Sequence, residues 1–229
     1  MTQRRWDEIK TGMREGAPIA AGYFPIAIAF GALAVEAGLA AWEGVAMSLF
    51  VYAGASQVMA AGMVLSGVGT AQIVAATFFL NLRHVMMSMV VNRRWDHLPG
   101  GWNKALSFWI TDETFALLTL GEAEQRTPSR TAALLLTAYL GWVSGTAAGT
   151  LSVRLLPAAV SGAMTMGLYA LFIGLLMPSL REDLRVGAVV AASMALNWGL
   201  QWVLPAGWAV VVTTAAGAGL GALILEEGP

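Results

Sequence analysis

One apolar stretch, residues 70–92, contains side chains that could bind or transfer charge: Asn81, Arg83 and His84. The residues on both sides are those of a membrane span. A rise of about 1.5 Å per residue places Arg83 roughly 14 Å from the end of this stretch, near the middle of a bilayer core. An unpaired Arg there costs at least ~2.5 kcal/mol, so ionisable residues inside membranes are usually functional. The alternative is an Arg83 that snorkels to an interface, with a helix that begins later.

Two neighbouring acids, Asp112 and Glu113, lie near the middle of a second such stretch, residues 104–120. Adjacent helical positions point about 100° apart, so both acids can be buried only if they face a crevice or if one is protonated. A carboxylate in a dry site can carry a proton, and pairing with Arg83 would favour its charged form. The alternative is a short re-entrant or interfacial helix with solvated acids.

A block of small and polar residues lies at the centre of residues 41–66, a predicted span: Tyr52, Gly54, Ser56 and Gln57. Such residues allow close helix packing and hydrogen bonds between helices. They equally fit an unwound stretch that offers backbone groups to a ligand.

Pro25 falls inside the first predicted span, residues 17–39, and must kink or break it. Broken helices in a bilayer occur only where they face protein or water, so a break here is expected to point inward. A simple kink that matters only for packing is the alternative.

Composition places these stretches in a membrane protein. The chain has 229 residues, of which 57% are hydrophobic and only 12% are charged, about half the charged fraction of a soluble domain. We therefore expect an all-α, polytopic membrane helical bundle of 7–8 transmembrane segments, with interrupted or kinked helices in the first half. The remaining predicted spans are residues 70–92, 131–153, 158–180, 186–204 and 206–225.

The chain divides into a tail and one membrane domain. Residues 1–16 are polar and basic, and the spacing of Trp6, Ile9 and Met13 predicts a cytoplasmic amphipathic helix on the membrane surface, or else a frayed tail. Residues 17–229 form a single transmembrane domain. In the fifth span, a ladder made by Gly141, Gly145 and Gly149 predicts backbone-to-backbone approach of another helix.

Basic residues indicate the orientation. With eight spans, the tail and the loops that hold Arg126 and Arg181 lie on one side, which the excess of Lys and Arg makes cytoplasmic. Arg93 and Lys104 would then lie outside, against the rule. One re-entrant early segment would remove this conflict and leave seven spans.

Several function classes are not supported. The chain has no Cys and only two His, so neither a Cys-based metal site nor a cofactor is indicated. No G-x-S-x-G or H-E-x-x-H motif accompanies Ser56, His84 and Asp112, so an enzyme is not expected. The net charge of −1 gives no basic footprint for nucleic acid.

The chain resembles the AzlC-type branched-chain amino acid transport proteins over essentially its whole length. The resemblance implies a secondary transporter that exports branched-chain or other hydrophobic amino acids across the bacterial inner membrane, with a small AzlD-type membrane partner. A solute channel and a membrane scaffold subunit without its own transport are the alternatives. The residues that carry the resemblance are Gly22-Tyr23-Phe24-Pro25-Ile26-Ala27 with Phe30-Gly31, Tyr52-Ala53-Gly54-Ala55-Ser56-Gln57, Arg83-His84, and Thr111-Asp112-Glu113 with Phe115-Ala116.

These polar interruptions suggest how a zwitterion with an apolar tail could be held near the midplane. The fork of Arg83 would bind the carboxylate, and Asp112 or Glu113 would meet the ammonium or exchange it for a proton. Met86 and Met87 would line a pocket for aliphatic tails. The predicted substrate-binding residues are Pro25, Tyr52, Gly54, Ser56, Gln57, Asn81 and Arg83, and the predicted proton-coupling residues are Asp112, Glu113 and His84.

Overall fold

The computed structural model describes residues 3–95, 101–120, 127–152, 173, 176–177, 179–181 and 183–225. Over this part of the chain the secondary structure is helical and contains no strand. The all-α class is therefore confirmed. The helices are α1 (Gln3–Glu36), α2 (Ala41–Phe50), α3 (Gly54–Leu65), α4 (Thr70–Arg94), α5 (Trp102–Ser107), α6 (Asp112–Leu120), α7 (Pro128–Ser152), α8 (Leu184–Leu200) and α9 (Ala206–Leu225).

Helix α1 joins the predicted tail to the first predicted span without interruption. It also runs through Pro18 and Pro25, so the helix does not break at Pro25, and the alternative of a simple kink stays a prediction. Proline removes one backbone hydrogen bond, and a long helix in a membrane tolerates that loss where other contacts hold the chain. Pro25 is exposed on the outer side of α1 and does not face inward.

Helices α1 and α7 pack along a ladder of glycines. A Cβ at Gly141 would lie 2.7 Å from Cα of Ala20, and one at Gly145 would lie 2.5 Å from the carbonyl oxygen of Phe24. Only glycine allows this approach, as the sequence predicts for α7. Later residues of α1 meet later residues of α7, so the two helices run parallel.

Helices α2 and α3 form a hairpin. Gly44 contacts Thr150 near the end of α7, whereas Gly54 lies against the ring of Trp142, nearer its middle. The Gln57 amide donates to the Ser48 hydroxyl at 3.0 Å, which pairs the two legs around a tip at residues 51–53. Residues 41–66 are therefore two half-helices and not one span.

Helix α4 runs opposite to α1 and α7. Its last turns, at Met87 and Val91, share a buried cluster with Leu134 near the start of α7. Its first turns, at Ala76, share another cluster with Met63 from the end of α3. The end of the bundle where α1 begins is called the near end below, and the end where α1 finishes is called the far end.

Helices α5 and α6 form a second hairpin, with its tip at residues 108–111. Leu106 of α5 and Leu118 of α6 both belong to the near-end cluster. The prediction of one span over residues 104–120 is wrong, because the chain turns back at the tip. Asp112 and Glu113 begin α6 and do not lie in mid-helix.

Helix α8 begins at the near end, and helix α9 runs from the far end back to the near end. Gly207 of α9 contacts Val68 at the far end, and the Arg185 guanidinium donates to the Ile224 carbonyl at 3.4 Å. Four described helices, α1, α4, α7 and α9, are long and apolar enough to cross a membrane. Since residues 41–66 and 104–120 form hairpins, the predicted total of 7–8 transmembrane segments is not confirmed. Most of the predicted sixth span, residues 158–180, lies outside the described residues.

The helix directions have a consequence for the hairpins. A chain whose helices α1, α4 and α7 cross a bilayer must return each hairpin to the side from which it entered. The α2/α3 hairpin enters from the far end and the α5/α6 hairpin from the near end. A long helix followed by a hairpin therefore occurs twice, in opposite directions.

Candidate functional site

A cavity of about 300 Å³ lies where the tips of the two hairpins meet. The described residues around it come from both hairpins, from α1, α4 and α7, and from one later position, Leu176. Most are apolar or aromatic, and the charged groups are gathered on one side. The lining residues are Tyr23, Ile26, Tyr52, Ala53, Gly54, Ala55, Val58, Arg83, His84, Thr111, Asp112, Glu113, Trp142 and Leu176.

Arg83 and Asp112 form an ion pair beside the cavity. Nη1 of Arg83 lies 2.8 Å from Oδ2 of Asp112, and the two side chains are 37% and 38% exposed. Helix α4 supplies the cation and the start of α6 supplies the anion, so the pair joins α4 to the second hairpin. Nε of Arg83 is buried and has no hydrogen-bond partner among the described residues.

Glu113 is held by α1. The hydroxyl of Tyr23 donates to Oε2 of Glu113, and the same hydroxyl lies 2.6 Å from Oγ1 of Thr111. Thr114 accepts a hydrogen bond from the backbone N–H of Thr111 at 2.8 Å, and its own N–H donates to the Thr111 hydroxyl at 3.4 Å. This reciprocal arrangement is a capping box, which satisfies the start of α6.

The tip of the α2/α3 hairpin has no reciprocal capping box. Tyr52 has φ +46°, a left-handed conformation that bulky residues rarely adopt. The N-cap residue of α3 is Ala53, whose side chain cannot accept a hydrogen bond from the first N–H groups of the helix, and these groups have no intrahelical acceptor in any helix. Gly54 and Ala55 of this first turn line the cavity. The Tyr52 hydroxyl is also buried without a partner among the described residues, although the residue is only 3% exposed.

Hydrogen bonds between buried polar side chains join the two helices of this hairpin, α2 and α3, to each other and to α7. Gln57 accepts hydrogen bonds from Nε1 of Trp142 at 3.1 Å and from the Ala53 N–H at 3.2 Å. Its amide donates to Ser48, which lies 2.7 Å from the hydroxyl of Thr146. Gln57 therefore positions the start of α3 against α7 and does not itself line the cavity.

Tyr139 of α7 contacts both tips. Its ring packs edge-on against Tyr52, with centroids 4.9 Å apart, and against Trp109 at 6.1 Å. Its hydroxyl donates to the carbonyl of Leu49 at 2.8 Å. The two hairpins therefore share one aromatic support.

The structure brings most of the predicted site residues together. Tyr52, Gly54, Arg83, His84, Asp112 and Glu113 line one cavity, as the sequence predicts for separate polar interruptions. Nδ1 of His84 is buried without a partner among the described residues.

Other predicted residues lie away from the cavity. Pro25 is exposed, Asn81 lies outside the cavity wall, and Ser56 donates to the Ala53 carbonyl at 2.9 Å. Met86 is 69% exposed and Met87 packs in the near-end cluster, so neither forms the apolar wall expected of them.

Sequence reasoning missed the residues that support the charged groups. Tyr23 and Thr111 hold Glu113, while Ile26, Val58 and Leu176 provide the apolar wall. Tyr23 gives a usable signal, because a hydroxyl inside an apolar span needs a partner. The apolar wall residues give no such signal, because most residues around them in the sequence are also apolar.

Comparison with known proteins agrees with the resemblance. The family described as AzlC protein matches residues 18–156, which hold all the cavity residues except Leu176. An uncharacterized membrane protein of Archaeoglobus fulgidus is 32% identical over 200 residues, covering 83% of this chain and 84% of that protein.

Two further relatives are also membrane proteins. The inner membrane protein YgaZ of Escherichia coli is 28% identical over 198 residues, covering 80% of this chain and 79% of the relative. An uncharacterized membrane protein of Helicobacter pylori is 34% identical over 104 residues, covering 43% of each chain. No solved structure matches the chain. The extent of the family match and the shared membrane character make this chain a member of the AzlC family of membrane proteins.

Proposed function

We propose that the chain is a secondary transporter that exports branched-chain or other hydrophobic amino acids in exchange for protons. The observation that supports this most directly is the cavity, where an apolar wall and ionised groups of both signs face one space. A zwitterion with an aliphatic tail requires that combination. The volume, about 300 Å³, is at the small end of ligand pockets, which suits a single amino acid.

The opposed hairpins support a transport mechanism. Inverted repeats with broken helices at mid-membrane are typical of secondary transporters, in which one repeat moves against the other around a central site. Here a helix and a hairpin occur twice in opposite directions. The cavity lies between the tips of the two hairpins, where access could change from one side to the other.

The acids at the start of α6 are the proposed proton carriers. Asp112 is paired with Arg83, and Glu113 accepts from Tyr23. Both side chains line the cavity, so a substrate ammonium can compete for either one. Binding of the ammonium and binding of a proton at one carboxylate exclude each other, which is the requirement for exchange.

The bundle also supports an orientation in the bacterial inner membrane with the N-terminus in the cytoplasm. Arg93, Lys104, Arg130 and Arg185 all belong to the near end, together with the start of α1. At the far end, the described residues include Glu36 and Glu43 but no Lys or Arg. The hairpin at α2 and α3 thereby removes the conflict with the positive-inside rule.

We also propose a small AzlD-like membrane partner, as the resemblance implies. Helix α8 leaves a surface for such a partner, because none of its residues is buried. Comparing proteoliposomes that contain the chain alone with ones that also contain a candidate small membrane protein tests this. If transport is unchanged by every candidate, the partner is not required.

Leucine efflux from proteoliposomes tests the site. Arg83→Ala and Asp112→Asn are each expected to reduce the efflux rate about 10-fold or more at equal protein content, because each leaves a partner unpaired beside the substrate. Arg93→Ala, on the same helix at the near end, is the matched control and should transport normally. Normal rates for both site variants would reject the proposal.

The driving force separates a transporter from a channel. Collapsing the pH gradient while the voltage is held should slow export and abolish accumulation against a leucine gradient. A channel would equilibrate leucine in either condition. An unchanged rate with continued accumulation would remove proton coupling and leave another ion as the source of energy.

A further inference from the structure

We infer that the substrate carboxylate binds at the start of α3, where Tyr52 donates to it, and not at Arg83. This inference rests on the proposed amino acid substrate and assigns one end of it. The site consists of the uncapped first turn of α3 and the hydroxyl of Tyr52.

The first observation concerns the N–H groups at the start of α3. Its first turn has no side-chain cap and no acidic residue, and Gly54 and Ala55 of that turn line the cavity. In a bilayer core, a backbone N–H without an acceptor costs several kcal/mol. The start of a helix also carries about half a positive charge. An anion in the cavity would meet both requirements.

The second observation is independent of the helix. The Tyr52 hydroxyl is buried without a partner among the described residues, and Tyr52, which is only 3% exposed, is one of the residues that line the same cavity. The backbone at Tyr52 is held at φ +46°. Strained backbone that the surrounding structure maintains is concentrated at functional sites.

Arg83 is less well suited to this role. Its Nη1 already bonds Asp112 at 2.8 Å, so a substrate carboxylate bound to the remaining N–H groups, among them the buried Nε, would lie close to a second anion. Helix α6 starts with two acids and is capped by Thr111 and Thr114. That tip therefore attracts the ammonium, and the substrate would lie with its carboxylate towards α3 and its ammonium towards α6.

Calorimetry on the purified full-length chain in lipid nanodiscs tests the assignment with two probes. Leucine carries both charged ends, and 4-methylpentanoate carries the same tail and carboxylate without the ammonium. Tyr52→Phe removes only the hydroxyl. It should weaken binding of both probes about 10-fold or more, the usual loss for a hydrogen bond to a charged group. Its thermal unfolding should be unchanged, because the hydroxyl has no hydrogen-bond partner among the described residues.

Tyr139→Phe is the matched control. The ring of Tyr139 packs against that of Tyr52. The Tyr139 hydroxyl, however, donates to the Leu49 carbonyl, and Tyr139 does not line the cavity. The substitution should lower the unfolding temperature and change the affinities less than about 3-fold, since the lost hydrogen bond is structural.

The outcomes separate the inference from the proposed substrate. Binding of 4-methylpentanoate that depends on Tyr52, without binding of leucine, would support the carboxylate site and reject the amino acid. Binding of leucine that Tyr52→Phe leaves unchanged would overturn the assignment and keep the substrate. Failure of both probes to bind the wild-type chain would overturn both.

Discussion

The two hairpin tips have the same position in opposite halves of the repeat, yet they differ in how their polar groups are satisfied. At the start of α6, Thr111 and Thr114 cap the helix, and the two acids have partners in Arg83 and Tyr23. At the start of α3, Gln57 accepts from the Ala53 N–H, but the Ala53 side chain forms no cap, and the Tyr52 hydroxyl has no partner among the described residues. Each tip therefore keeps one buried polar group without a partner among the described residues, Nε1 of Trp109 in the α5/α6 hairpin and the hydroxyl of Tyr52 in the α2/α3 hairpin, and of these two residues only Tyr52 lines the cavity.

The difference shows how a symmetric scaffold can bind an asymmetric substrate. Both helices direct their positive ends at the cavity, which alone would favour two anions. Asp112 and Glu113 reverse the charge at α6, so a cation is favoured there and an anion at α3. The two acidic residues at the start of α6 therefore make one end of the cavity favour a cation and the other end favour an anion.

The largest expected effect comes from making the α3 tip resemble the α6 tip. Ala55→Asp places a carboxylate in the first turn of α3, where Ala55 lines the cavity. Helix α3 should be slightly more stable, because an acid near a helix start is favourable. Binding of 4-methylpentanoate should fall about 100-fold, since like charges side by side cost several kcal/mol.

Ala55→Asn is the control for this substitution. It has nearly the same size as Asp but no charge, so it should weaken calorimetric binding far less. Equal losses for Asp and Asn would show that the effect is steric and that α3 does not receive the anion.

The next effect concerns the legs behind the α3 tip. Gln57→Leu removes the acceptor for Trp142 and for the Ala53 N–H, and both donors are left buried. At about 1–3 kcal/mol for each unsatisfied group, we expect a loss of about 2 kcal/mol or more in the free energy of unfolding. Denaturation in mixed detergent measures this.

Gln201→Leu provides the comparison for that experiment. Gln201 is exposed and donates to Asn197 on the same helix, so its loss should change the free energy of unfolding by less than about 0.5 kcal/mol. If Gln57→Leu is equally mild, the polar contacts of the legs do not hold the tip.

The sequence was sufficient to predict the convergence of the charged groups. An Arg and two acids inside apolar stretches need partners, and the structure pairs Arg83 with Asp112 at 2.8 Å. The glycine ladder of α7 was also readable, because Gly every fourth residue marks one face of a helix. The helix that packs against these glycines, α1, could not be predicted, because many apolar helices can pack against such a face.

The hairpins could not be distinguished from spans by hydropathy. Residues 41–66 and 104–120 have the apolar length of a crossing helix, and two half-helices that turn back have the same composition. Only the contacts of Gly44, Gly54 and Leu118 show the reversal. Whether the helix breaks at Pro25 could not be predicted for a related reason. Proline removes a backbone hydrogen bond, but it does not show whether the helix ends there. The helical structure is interrupted in the next predicted span, at Tyr52. Tyrosine has no preference for a positive φ, so nothing in the sequence indicated this interruption.

The smallest expected effect comes from uncapping α6, which would make its tip resemble that of α3. Thr114→Val keeps the shape of the side chain but removes the acceptor for the Thr111 N–H. Loss of a cap costs about 1 kcal/mol, so the free energy of unfolding should fall by about that amount and hydrogen exchange at residues 108–113 should become faster. Thr77→Val is the control, because its hydroxyl bonds only carbonyls of its own helix. A Thr114→Val protein with unchanged exchange at this tip would mean that the capping box does not distinguish the two tips, and that the acids alone account for their difference.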